Sequence, residues 1–234
     1  AGVGSIGIID DDLVSESNLQ RQVLYSTEDI GEAKVLAAEK KLTVQNPLIS
    51  IEPYSGRLSK ENALTILEGY DLIIDGSDNF ATRYLLNDAC VILNKPLVYG
   101  AIHKFEGQVS VFNYKNGPTY RCLFPEPPNE GEMPACGEVG VLGVLPGIIG
   151  IWQATEARKI ITGIGEPLSG KLLSFNLLTN SISTVELEAD EKNRSIKELG
   201  DYYFGCATDF LTLENLRQLE KEEYVQLIYL REKN

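Results

Sequence analysis

The sequence is poor in the side chains from which many active sites are built. It has one histidine, one methionine and one tryptophan in 234 residues, so a Ser-His-Asp or Cys-His site would have to form around His103 alone. That residue follows an apolar run in AIHKFEGQVSVF, where a hydrogen-bonded structural role is expected. The four cysteines, Cys90, Cys122, Cys136 and Cys206, form no Cys-x-x-Cys pair, which gives no tetrahedral metal spacing and a poor disulfide framework. No structural zinc and a reducing, cytoplasmic setting are therefore expected. Basic residues are outnumbered as well: 21 Lys and Arg against 34 Asp and Glu leave a net charge of -13. That sign opposes non-specific binding to nucleic acid or to an anionic membrane and suits a basic or neutral protein partner. The most apolar stretch, residues 139–154, is interrupted by Pro146 and four glycines and is too short to span a bilayer. The opening Ala-Gly-Val-Gly has no initiator Met and no charged signal-peptide start, and reads as the start of a fragment.

What is present is the composition of a folded globular protein, 43% hydrophobic and 24% charged. Apolar runs at residues 2–10, 49–54, 71–75, 97–102 and 109–114 read as strands. Amphipathic stretches at 31–46, 60–69, 79–94 and 145–162 read as helices. This alternation predicts a doubly wound α/β fold with a mainly parallel sheet, whose ligands sit at the carboxyl ends of the strands. Residues 171–178 and 181–187 read as a C-terminal β-hairpin around Thr179-Asn180. Residues 116–140 hold five prolines and four glycines and predict a long irregular loop. Residues 189–210 read as a linker, charged over its first part.

Three groups of residues carry chemistry. In DDDLVSESNLQRQ, Asp10 at a strand end can accept ribose hydroxyl protons, with Asp12 and Asn18 nearby. Arg21 and Lys34, which opens the next helix, can neutralise phosphates. The competing reading is a solvated acidic turn beside a salt-bridged surface helix. In DGSDNFATR, Asp78 stands where a strand opens into a helix and can hold Mg²⁺ through oxygen, with Asn79 and Arg83 directed at the same anion. The alternative is that Asp78 only caps the helix. Cys136, on the Pro/Gly-rich loop, can attack a bound acyl group as a thiolate; an inert cysteine is the alternative. Cys90 lies on an apolar helical face with Leu86 and Leu93 and reads as core.

These stretches, in order, resemble the ThiF/MoeB/HesA family of adenylating enzymes, relatives of ubiquitin-activating enzymes. The resemblance covers residues 1–188 and rests on SNLQRQVLY, DGSDNFATRYLLNDAC, KPLVYGAIHKFEGQVSVF, YRCLFPEPP and GVLGVLPGIIGIWQATEARKI. It implies ATP-dependent adenylation of the C-terminal glycine of a ubiquitin-like sulfur-carrier protein of the ThiS or MoaD type, for thiamine or molybdopterin synthesis. It implies further that Asp10 binds ribose, that Asn18, Arg21 and Lys34 bind phosphates, and that Asp78 holds Mg²⁺. Cys136 matches the loop cysteine that takes the carrier into a covalent or persulfide intermediate in some members. A homodimer is implied too, with the helix at 145–162 as a contact.

The chain departs from the family in two respects. The family's first strand, its GxGGxG loop and the helix that follows are not in this sequence, nor is the arginine lent across the dimer. Thr119 stands at the first position of the Cys-x-x-Cys expected at residues 119–122, and no second pair follows the hairpin. Residues 211–234 resemble the opening of a rhodanese domain, with Tyr-Leu-Arg-Glu at 229–232 where Asp-Val-Arg-Glu is usual. Two other functions compete: a nicotinamide-dependent dehydrogenase on the same sheet architecture, and a scaffold that binds the carrier without activating it.

Overall fold

Strand β1 (Ser5–Asp10) pairs in parallel with β2 (Ser50–Ser55), Ser5 opposite Ser50 and Asp10 opposite Ser55. A parallel pair needs a crossover, and helix α1 (Lys34–Gln45) supplies it, burying Val35, Ala37 and Ala38. The helix stops because Asn46, ahead of Pro47, is driven to an extended φ of -146°. The computed structural model describes residues 3–126 and 140–202. Cys136, Cys206 and the rhodanese-like stretch at 211–234 lie outside the described residues. The chain divides into two units, Ala1–Tyr203 and Phe204–Asn234, and the description concerns the first.

After α2 (Ala63–Glu68), a second sheet begins with β3 (Ile73–Asp75). Helix α3 (Phe80–Ile92) crosses to β4 (Leu97–His103), which runs parallel to β3. Strand β5 (Glu106–Phe112), β6 (Lys171–Asn176) and β7 (Ser181–Glu186) then add antiparallel, giving the order β3-β4-β5-β6-β7. The fold is the expected α/β class: its parallel pairs lie in the N-terminal half, and the hairpin extension closes the sheet. Strand β5 starts earlier than its apolar run suggests, because Lys104 (φ 52°) and Phe105 make a tight turn that pairs His103 with Glu106. The described part of the irregular loop contains one helical turn, α4 (Tyr120–Leu123).

Helix α5 (Leu145–Thr162) lies on β4 and β5. Its Leu145 and Ile149 pack against Val109, and Ala157 against Val98 and Val111. Fully burying a side chain of this size contributes about 1.5–3 kcal/mol. Tyr84 of α3 joins Tyr99, Phe112 and Tyr120 in an aromatic cluster, with ring centroids 5.2 Å apart for Tyr84–Tyr120 and 5.5 Å for Tyr99–Phe112. Cys90 is fully buried in α3, as its apolar face predicts.

The stretch read as a linker from residue 189 is held against the domain through Tyr202. Leu199 is buried, Lys60 Nζ lies 2.8 Å from Asp201 Oδ1, and the Tyr202 ring stacks on Tyr84 at 6.4 Å. A short 3-10 turn (Glu191–Arg194) brings the Asp190 amide 3.4 Å from Cys122 Sγ. No described helix is long and apolar enough to cross a membrane.

Candidate active site

Two acidic residues end parallel strands: Asp10 is the last residue of β1, and Asp75 the last of β3. Carboxyl ends of parallel strands are where ligands of such sheets bind, and a cleft opens beside each. The larger, about 700 Å³, is lined by Arg21, Asp75, Ser77, Asp78, Arg83, Tyr99 and Gln153, with apolar walls from Phe80, Ile102 and Ile149. The smaller, about 360 Å³, is lined by Asp10, Arg21, Tyr25, Lys34 and Pro146. Both volumes fall within the roughly 300–1,000 Å³ usual for small-molecule sites. Arg21 lines both clefts, and its Nη1 donates to the Ser17 carbonyl at 3.1 Å.

In the smaller cleft Lys34 is buried at the first turn of α1, its Nζ 2.6 Å from Asp12 Oδ2 and 4.0 Å from Asp10 Oδ2. Asp10 Oδ1 accepts the Asp12 N–H at 2.8 Å. Burial pushes the Asp10 carboxyl above its ordinary range, against the opposing pull of that N–H and of Lys34. Asp12 and Asn18 line neither cleft. Asp12 is the partner of Lys34, and Asn18 ends a 3-10 turn whose carbonyl accepts the Arg21 and Gln22 amides. Among the described residues, the one cluster with three candidate metal-ligand side chains is Asp10, Asp11 and Asp12, all of them carboxylates.

In the larger cleft the loop after β3 is held from behind. Asp75 Oδ1 accepts both the Ser77 N–H (2.8 Å) and the Ser77 hydroxyl (2.7 Å), an Asx turn. Asp78 follows and lines the cleft. The helix cap is Asn79, whose Oδ1 accepts the Thr82 N–H at 2.9 Å, so the alternative reading of Asp78 as the cap does not hold. Asn79 is thereby occupied with α3. Arg83 lines the cleft but is nearly buried: Nη2 donates to the Ser77 carbonyl at 3.0 Å, and the guanidinium lies 5.6 Å from both the Phe80 and Tyr99 ring centres. Its Nε is 4.0 Å from Asp75 Oδ2. Burial raises the Asp75 carboxyl despite Arg83 and the Ser77 bonds, and pushes the Tyr99 hydroxyl up to about 12.

Sequence reasoning missed two residues at this site. Asp75 is quoted within DGSDNFATR, and its place as the last residue of an apolar strand was a usable signal. Gln153 carried none. It reaches from α5 so that Nε2 donates to the Asp75 carbonyl at 2.6 Å and the Val98 carbonyl at 3.3 Å, tying together the ends of β3 and β4. His103, at the end of β4, lines the larger cleft and is exposed.

The fold and these clefts define a doubly wound α/β protein with clefts at its strand ends, where such sheets take their ligands. The chain belongs to the ThiF family, whose model matches residues 1–196. It is 50% identical over 217 residues to the sulfur carrier protein adenylyltransferase of Thermus thermophilus, covering 88% of this chain and 80% of that protein. It is 47% identical over 211 residues to the probable adenylyltransferase/sulfurtransferase MoeZ of Mycobacterium tuberculosis, covering 88% of this chain and 54% of that protein. Against the SAMP-activating enzyme E1 of Haloferax volcanii it is 48% identical over 184 residues, covering 79% and 68% of the two chains. The chain thus spans most of the first relative but about half of the second. Among solved structures, E. coli MccB with ATP superposes with a TM-score of 0.68 at 19% identity, over 83% of this chain and 59% of that one. At that identity the likeness is one of fold.

Proposed function

We propose that this chain uses ATP to adenylate the C-terminal glycine carboxylate of a ubiquitin-like sulfur-carrier protein of the ThiS or MoaD type, for thiamine or molybdopterin synthesis. The observation that carries the reading is that Arg21 lines both clefts. A nucleotide gripped at Asp10 and Lys34 then extends its phosphates past Arg21 to Asp78. The relative named a sulfur carrier protein adenylyltransferase supports the same reading.

In the reaction a carrier carboxylate oxygen attacks the α-phosphorus of ATP. The new P–O bond forms as the bond to the β-phosphate oxygen breaks, and pyrophosphate leaves. The chain's own groups contribute position and charge: Asp10 orients the ribose, while Lys34 and Arg21 neutralise the phosphates. Asp12 holds Lys34 in place. Asp78, in the loop after β3, offers the hard oxygen donor that Mg²⁺ takes. Asp78 would hold the ion, which when bound offsets the charge of the departing pyrophosphate. Cys136 is assigned to the later sulfur transfer. The exposed apolar side chains of Val144, just before α5, and of Ile151 on it support a homodimer contact there, and the free thiols of Cys90 and Cys122 suit a cytoplasmic setting.

The test is carrier-dependent ATP–pyrophosphate exchange by the full-length protein. Asp78→Asn should abolish exchange, whereas Cys136→Ala should spare exchange and block sulfur delivery. Undiminished exchange in Asp78→Asn would refute the metal assignment.

A further inference from the structure

All three polar groups of Ser77 are taken by two nearly buried side chains. Asp75 Oδ1 accepts its N–H and its hydroxyl, and Arg83 Nη2 donates to its carbonyl. Ser77 immediately precedes Asp78, and on the other side Asn79 is fixed as the cap of α3. The Cβ side of Gly76 faces open space, with nothing within 4 Å of a Cβ built there. The hydrogen bonds to Ser77 hold this loop from behind.

The grips are themselves held. Asp75 is 1% exposed, and its carbonyl receives Gln153 from α5. Arg83 lies against the Phe80 and Tyr99 rings. Asp75 Oδ2 and Arg83 Nε are buried without a hydrogen-bond partner and stand 4.0 Å apart. A charge pair at that separation, out of water, keeps both side chains on Ser77 by mutual attraction rather than by a bond of their own.

We propose that Asp75 and Arg83 are positioning residues which lock Ser77 and so present Asp78 to the larger cleft in one orientation. Arg83 thereby acts through the loop rather than as an anion contact. The proposal rests on the reading of Asp78 as the magnesium-holding residue, although its structural half stands without it. An ion ligand whose support is removed loses affinity by about 10-fold or more.

The experiment combines hydrogen exchange of the ligand-free full-length protein with calorimetry of ATP binding, with and without Mg²⁺. The variants are Asp75→Ala, Asp75→Asn and Ser77→Ala. Asp75→Ala should speed exchange of the residue 76–79 amides by about 10-fold and cut the Mg²⁺-dependent gain in ATP affinity by about 10-fold. Asp75→Asn keeps an acceptor for Ser77 but not the charge opposite Arg83, and should bring both readouts back part of the way, to within about 3-fold of wild type. Unchanged loop exchange in Asp75→Ala overturns the proposal. So does an Asn variant that keeps the loop protected yet binds as poorly as Ala, because Asp75 would then touch the ligand itself. If Asp75→Ala does not fold, Ser77→Ala decides, and an unaltered Asp78 amide in that variant overturns the proposal. If exchange responds as expected while wild type binds no Mg-ATP, the lock stands and the adenylation reading falls.

Discussion

Replacing Gly100 by alanine puts a methyl group where the Gln153 amide lies. A Cβ at Gly100 would stand 2.4 Å from Gln153 Cδ, 2.5 Å from Nε2 and 2.8 Å from Oε1, all too close to coexist. The glutamine can swing aside only by releasing the Asp75 and Val98 carbonyls, and at 7% exposure it has little water to turn to. Forcing a methyl into a packed site costs about 1–3 kcal/mol, and unpairing buried polar groups about 1–3 kcal/mol more. Gly100→Ala should therefore lose about 3 kcal/mol of stability. Gln153→Ala alone forfeits the same hydrogen bonds and leaves a void, a loss of about 2–3 kcal/mol. In the double variant the new methyl occupies the vacated space, so the combined loss should fall short of the sum by at least about 1.5 kcal/mol. Urea unfolding with unchanged m-values measures each corner of the cycle. Losses that add to within about 0.5 kcal/mol would show that the two positions do not share one space, and the reasoning would fail.

Asp29 is held at about 2 by the Lys41 ammonium at 2.5 Å and by the Ser26 N–H at 2.6 Å and hydroxyl at 2.8 Å. Because this pKa lies below the unfolded value of about 3.9, its stabilisation is full at neutral pH and is lost as pH falls from about 4 through about 2. An Asp29 carboxyl titration should show the low midpoint, and Lys41→Met should raise it. Arg121 makes a two-pronged pair with buried Asp88, Nε to Oδ1 and Nη2 to Oδ2 each 2.8 Å. Arg121→Ala should cost about 3 kcal/mol in denaturant unfolding, with Arg121→Lys in between because the fork is lost but the charge kept. Burial raises the Cys122 thiol, but hydrogen bonds from the Asp190 amide, Thr119 and Asn193 outweigh it and bring it below its ordinary value. Burial instead pushes the Cys90 thiol well up. Iodoacetamide should therefore label Cys122 before Cys90 in the native protein, as read by peptide mass mapping.

Much of the fold was legible because local chemistry and global pattern agree. Helix α5 matches its predicted bounds: Pro146 suits the first turn, and Gly163 takes the left-handed conformation (φ 68°) that ends it. The turn between β6 and β7 follows from Asn180, which adopts φ 53°. The Lys104-Phe105 turn was not legible, since neither residue signals a left-handed backbone and the pairing across it decides the conformation. The attachment of residues 189–202 was hidden too. It depends on Tyr84, Lys60 and Cys122, all distant in sequence. At the site, strand-end acids and the two cations could be found from position and charge. The division of labour around Asp78 could not, because Asp75, Ser77, Asn79 and Arg83 differ in role only through which hydrogen bonds they make.

The central claim is that one nucleotide spans both clefts past Arg21, and calorimetry with Mg-ATP on the full-length protein tests it most directly. Wild type should bind ATP with one site, and Arg21→Ala, Lys34→Ala and Asp10→Asn should each weaken that binding by about 10-fold or more. Tight NADH binding with no ATP binding, or ATP binding indifferent to all three substitutions, would contradict the account.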